Sequence, residues 1–174
     1  LNILSLVLVA TFLGFYLGSN GEMEYNKLLL TLLGTALTAA GSGSLNHYLE
    51  RDADKKMDRT RNRPLPSGTL TPLFAVLYGM ALVVIGSVTL AYFVNLLTGF
   101  LSLLTAFLYI VVYTPLKKIT WLNTSIGSIP GAIPIIGGWT AASNSISPMA
   151  LVLFGIMYLW QHPHSVSYTH LTLP

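Results

Sequence analysis

Three oxygen-bearing side chains recur at intervals of four: Asn46, Glu50 and Asp54. On a helix each step of four turns about 400°, so all three fall within one face of roughly 80°. Asp58 extends the count but drifts further round that face, where the helix is expected to unwind, and Asp52 points elsewhere. A row of oxygen donors suits a hard cation. Mg²⁺ takes one or two carboxylates and completes its octahedron with water and substrate phosphate oxygens. Basic residues follow at once: Arg59, Arg61 and Arg63, and later Lys117 and Lys118. Arg offers a planar fork to phosphate and Lys a point charge. Carboxylates alone would suggest a cation site, whereas carboxylates followed by arginines suggest a metal-bridged polyphosphate. A solvated helix end with orienting charges is the plainer alternative. Glu50 and Asp54 repel at this spacing, so the row is poor as a self-stabilising face. Spacing alone leaves both readings open. His47, one position round from Asn46, is a weaker ligand candidate because Mg²⁺ prefers oxygen.

The elements that must position this row are apolar. The chain of 174 residues is 53% hydrophobic and 9% charged, against about 25% charged in soluble domains. No Asp, Glu, Lys or Arg lies between Arg63 and Lys117, and none follows Lys118. Each gap accommodates two spans of roughly 20 residues and a turn. The expected fold is an all-α membrane protein of about six transmembrane helices: 3–17, 28–49, 72–93, 96–113, 121–142 and 149–160, the last reaching as far as 164. Continuous apolar runs exclude barrel strands, which alternate over about ten residues. Backbone groups in hydrocarbon must pair internally, so the spans are helical.

Eight of the nine Lys and Arg residues fall in two loops, Arg51–Arg63 and Lys117–Lys118. Six spans place these loops on one side, which the positive-inside rule makes cytoplasmic. The net charge of +3 is therefore orienting charge in the bilayer, and nucleic acid is not an expected partner. Thr114-Pro115 is expected to end the fourth helix, because the residue before proline avoids the α region. The Gly/Pro-rich stretch from Gly127 to Gly138 fits close packing through Gly127 and Gly131, or a kinked helix lining a cavity. Tyr16, Tyr25, Tyr92, Tyr113, Trp121 and Trp139 lie near span ends and fit an interfacial belt. With no cysteine, disulfides and thiolate metal sites are excluded. The chain opens on Leu1 inside an apolar run and is expected to be truncated there. Val166–Pro174 is polar, β-leaning and similar to a translated sequencing adapter, so it is expected to be a non-native tail after a partial prenyltransferase domain over 1–165.

The string Asn46-x3-Glu50-x3-Asp54-x3-Asp58-Arg59-Thr60-x2-Arg63-Pro64 resembles the first aspartate-rich motif of the intramembrane UbiA-type prenyltransferases. The fuller string through Met57, Asn62 and Arg63 is similar to the branch that farnesylates protohaem IX. Tyr113-Thr-Pro-Leu-Lys-Lys-x-Thr-x2-Asn123 and Leu159-Trp-Gln-x-Pro-His164 agree with that branch. The resemblance covers residues 1 to about 165. It implies a bundle of about nine helices around a cavity, of which this chain holds about six. It implies transfer of a farnesyl group from farnesyl diphosphate to the vinyl group of haem b, with water adding and diphosphate leaving, to make haem o. By the resemblance, Asn46, Glu50, Asp54 and Asp58 hold Mg²⁺. Arg59, Arg63, Lys117, Lys118 and Asn123 bind the diphosphate, with Thr120 beside Asn123 in the same motif. Asp54 and Lys117 are the implied catalytic residues, and His164 is a candidate haem contact. The implied partners are farnesyl diphosphate, haem b and the lipid of a bacterial plasma membrane, with a haem a synthase or a terminal-oxidase assembly as candidates.

The sequence departs from the family pattern at Glu50, where Asp is usual, and at His162, where the branch more often carries an apolar residue or proline. The family's second acidic motif is not found in this chain. The isolated chain is therefore expected to be inactive. Two other functions remain open: a related prenyltransferase with a quinone-precursor or chlorin acceptor, and a divalent-cation transporter. Arginines beside the row disfavour the transporter, because they would repel a bare cation.

Overall fold

The computed structural model describes residues 3–58, 60, 62–116 and 123–171, with backbone alone over 123–124 and 162–171. Its elements are helical: α1 (Ile3–Gly18), α2 (Tyr25–Asp54), α3 (Pro72–Phe93), α4 (Leu96–Phe107), a π-helical turn (Leu108–Tyr113), α5 (Thr114–Leu116), α6 (Asn123–Ser143) and α7 (Pro148–Leu171). Three helical stretches are long and apolar enough to cross a membrane, namely Tyr25–Asp54, Pro72–Phe93 and Leu96–Leu116. Ile3–Gly18 and Pro148–Gln161 are shorter apolar helices. Large apolar side chains such as Leu29, Leu73, Leu96 and Phe100 stand exposed around the bundle, as a surface solvated by lipid requires.

Local chemistry sets the boundaries. Pro72 occupies the first turn of α3, where its missing N–H costs nothing. The Thr71 hydroxyl caps the same end by accepting from the Phe74 N–H. Asn95 opens α4 by accepting from the Thr98 N–H at 2.7 Å. Its amide group donates to the Thr140 carbonyl and to Asn144 Oδ1, each at 2.8 Å. One turn residue thus ties the start of α4 to the end of α6.

The Gly/Pro-rich helix is the centre of the bundle. Ile133, Ile135 and Ile136 of α6 are buried with Ala10 of α1 and Leu101 of α4, and Leu153, Phe154 and Met157 of α7 pack on them. Small residues bring the backbones together, since lipid offers no hydrophobic drive between helices. A side chain at Gly138 would overlap the Thr11 carbonyl of α1, and one at Gly14 the Ile135 carbonyl of α6. Helices α2 and α3 meet similarly, with a Cβ at Gly41 falling 2.6 Å from the Gly79 carbonyl oxygen. The glycines singled out in the sequence act differently. Gly127 receives the Tyr113 ring and Gly131 the Gln161 side chain, rather than a neighbouring backbone.

Two expectations are corrected. Thr114-Pro115 does not end the fourth helix, which runs on to Leu116 through the π-helical turn. Within that turn the Thr114 N–H bonds the Tyr109 carbonyl, five residues back. The widened turn carries the chain past a proline that an α-helical ladder would reject. Trp139 is not an interfacial anchor but is 8% exposed, with its backbone and ring against Gly18 of α1. Tyr16, Tyr25 and Tyr92 are exposed as a belt requires. The backbone of α7 runs on through residues 166–171. Trp121 lies outside the described residues.

Candidate functional site

The polar row occupies the last two and a half turns of α2. Asn46 and Glu50 are half-buried, and the Asn46 Nδ2 donates to Glu50 Oε2 at 3.1 Å. Asp54 is the final residue of the helix and is 5% exposed. Its Oδ2 accepts from Arg63 Nη1 at 2.9 Å. The loop is built to return Arg63 to that point. Tight turns bond Met57 N–H to the Asp54 carbonyl, Thr60 N–H to the Met57 carbonyl and Arg63 N–H to the Thr60 carbonyl. The buried Thr60 hydroxyl also donates to the Asp54 carbonyl at 2.9 Å, capping the end of α2.

The helical face thus carries Asn46 paired with Glu50, and Asp54 paired with Arg63 of the following loop. Asp58 falls in the turn beyond α2 and is exposed. Asp52 is exposed and pairs with Arg51, whose guanidinium lies 4.4 Å from the centre of the Tyr48 ring. Among the described residues no three His, Cys, Asp or Glu side chains converge on one point. The donor set nevertheless fits Mg²⁺ as a partial shell, because a diphosphate-bound Mg²⁺ needs only one or two protein carboxylates. Arg63 stands beside Asp54 as a guanidinium, a group whose planar fork suits phosphate oxygens. Arg59, Lys117 and Lys118 lie outside the described residues. Asn123 opens α6 and His164 lies within α7, with their side chains outside the description.

Two positions were not singled out by sequence reasoning, Thr60 and Thr114. Thr114 is 2% exposed, and its hydroxyl lies 2.9 Å from Asn46 Oδ1 and 2.8 Å from the Tyr109 carbonyl. Its place in the Tyr113-Thr-Pro-Leu-Lys-Lys string was the available signal. His47 turns away from the row. With Ser44, Arg63, Leu65, Phe74 and Tyr78 it lines a largely apolar cavity of about 250 Å³ between α2, the loop and the start of α3.

The bundle and its helix-end cluster define an integral membrane protein that carries carboxylate, amide and guanidinium groups at the end of an apolar span. The chain belongs to the UbiA prenyltransferase family, which residues 7–172 match. It is 45% identical over 163 residues to the protoheme IX farnesyltransferase of Aquifex aeolicus (strain VF5), covering 93% of this chain and 56% of that one. It is 47% identical over 163 residues to the protein of the same name from Salinibacter ruber (strain DSM 13855 / M31), covering 94% and 58%. These relatives bear out the branch expected from the motifs. The chain spans a little over half the length of the curated relatives it matches. The fold is similar to the apo structure of a UbiA homolog from Aeropyrum pernix K1, with a TM-score of 0.79 and 20% identity, covering 97% of this chain and 64% of that one.

Proposed function

We propose that this chain carries the first acidic half of the magnesium–diphosphate site of an enzyme that transfers farnesyl from farnesyl diphosphate to the vinyl group of haem b. The observation that carries the reading is the Asn46–Glu50 and Asp54–Arg63 pairing on one face at the end of α2. The relatives' shared name supports the acceptor. Glu50, Asp54 and Asn46 Oδ1 would hold Mg²⁺, with Asp58 as a further donor, and the ion would neutralise the diphosphate that leaves with the electron pair of the allylic C–O bond. Arg63 stands beside the row to take phosphate oxygens. Arg59, Lys117, Lys118 and Asn123 are assigned the same task by their motifs, with Asp54 and Lys117 closest to the bond that breaks. His164 is assigned to the haem. Fixed cationic donors at a site that excludes water stabilise developing negative charge best. The Arg51–Arg63 and Lys117–Lys118 loops face the cytoplasm of a bacterial plasma membrane, and a haem a synthase or an oxidase assembly would take the product.

The test uses the chain in lipid nanodiscs, with Mn²⁺ as a paramagnetic reporter for Mg²⁺. Inorganic pyrophosphate is expected to raise Mn²⁺ affinity at least about tenfold, a gain of about 1.4 kcal/mol. Glu50→Gln should abolish the gain. Equal Mn²⁺ affinity with and without pyrophosphate would instead indicate a cation site and overturn the reading. With only half of the acidic set present, the chain supplied with haem b and farnesyl diphosphate is expected to yield no haem o by chromatography. Measurable haem o would show that the second acidic set is dispensable.

A further inference from the structure

The hydrogen bonds around Asn46 have one consistent direction. Glu50, as a carboxylate, can only accept, so the Asn46 amide must turn its Nδ2 toward Oε2. That places Asn46 Oδ1 against the Thr114 hydroxyl, which must then be the donor. Thr114 has a single hydroxyl proton and two acceptors within 2.9 Å, Asn46 Oδ1 and the Tyr109 carbonyl. The Tyr109 carbonyl also accepts from the Thr114 N–H in the π-helical turn, so it stays paired when the hydroxyl proton is turned to Asn46 Oδ1. Thr114 lies 68 residues from Asn46 in the chain and is 2% exposed, so water has little access to its hydroxyl as an alternative partner.

The geometry points to Thr114 as a positioning residue that fixes the rotation of the Asn46 amide and, through it, the Glu50 carboxylate. The path runs from the Thr114 O–H to Asn46 Oδ1, and from Asn46 Nδ2 to Glu50 Oε2. Each bond polarises the next, so the chain of donors holds better than either bond alone. One lone pair of Oδ1 is used by Thr114, and the other stays directed by it. Without the hydroxyl the amide is free to flip, which would aim its N–H₂ at the metal position and leave Glu50 facing a carbonyl oxygen. Removing a group of this kind from behind a metal ligand lowers metal affinity by about 10–100-fold.

This inference rests on the metal–diphosphate reading above, and two measurements separate the two. In the first, Mn²⁺ is titrated in the presence of inorganic pyrophosphate into nanodisc samples of the wild type, Thr114→Val and Thr114→Ser. Thr114→Val keeps the side-chain shape, loses the hydroxyl and is expected to weaken Mn²⁺ binding about tenfold or more. Thr114→Ser restores the hydroxyl and is expected to stay within about twofold of wild type. Equal weakening by Val and Ser would indicate a packing role and overturn the proposal, as would no weakening by Val. Where Thr114→Val lowers the folded yield, Thr114→Ala repeats the comparison without a branched apolar group. The second measurement needs no metal. With ¹⁵N-asparagine labelling, the Asn46 side-chain N–H₂ resonance is identified by its loss in Asn46→Asp. It should shift in Thr114→Val and hold in Thr114→Ser. Should the wild type bind no Mn²⁺ with pyrophosphate, the function falls while this resonance still decides the positioning role, and an unmoved resonance overturns it.

Discussion

Arg63→Ala is expected to destabilise the folded protein by about 3 kcal/mol, near the lower end of the cost of breaking a buried ion pair. The carboxylate of Asp54 is 7% exposed, whereas the Arg63 side chain is 39% exposed. Losing the arginine strands a charge with little access to water, and losing the carboxylate strands one that water can reach. Asp54→Asn should therefore cost less stability than Arg63→Ala, although it removes a proposed metal ligand. Arg63→Lys should fall between, because it keeps the charge but not the fork. Thermal unfolding in detergent checks the order. Equal losses for Arg63→Ala and Asp54→Asn would mean that water reaches Asp54 freely. Loss of pyrophosphate-dependent Mn²⁺ binding should follow a different order, with Asp54→Asn the more damaging. Stability and ligand binding thus separate the two members of one pair.

Gly138→Ala is expected to be the most damaging single-methyl change in the central helix. Its Cβ would overlap the Thr11 carbonyl and sit 2.8 Å from the Phe15 N. Both neighbours are backbone atoms of α1, so no side-chain rotation relieves the clash and the helices must part. Overpacking typically costs about 1–3 kcal/mol, and a backbone clash belongs at the upper end. Gly137→Ala is the internal control, since nothing lies within 4 Å of its Cβ. It should be neutral or slightly stabilising, because alanine is the better helix former by about 1 kcal/mol. A shift in unfolding temperature for Gly138→Ala but not Gly137→Ala would confirm the α1–α6 contact. Equal behaviour would contradict it.

Helix positions were legible where a local signal stood beside an apolar run. The apolar runs 72–93 and 96–113 gave the bounds of α3 and the start of α4, where Pro72 and Asn95 set the helix ends. Spacing by four also gave the Asn46–Glu50–Asp54 face. What spacing could not give is what each group holds. The Asp54–Arg63 pair depends on three successive turns in the loop, and Thr114 reaches Asn46 only through tertiary packing. The fourth helix shows where a local rule loses. The preference of a pre-proline residue against the α region is real, yet a single wide turn accommodated it at less cost than ending an apolar helix in lipid, where freed backbone groups find no water. Trp139 was misjudged for a related reason. Its position near a span end suggested the interface, but α6 is the buried centre of the bundle.

The wide turn at Leu108–Tyr113 acts as a phase setting for everything after it. In an α-helix one residue corresponds to about 100° of rotation, and a π-turn takes up one extra residue within a single wide turn, so each residue after it is set back by about that angle from where an uninterrupted α-helix would place it. The direction in which Thr114 faces is counted from that turn. Loss of one apolar residue between Leu108 and Tyr113 would leave Thr114 facing as it does if the wide turn closed to α geometry, and would swing it by about 100° if the turn stayed wide.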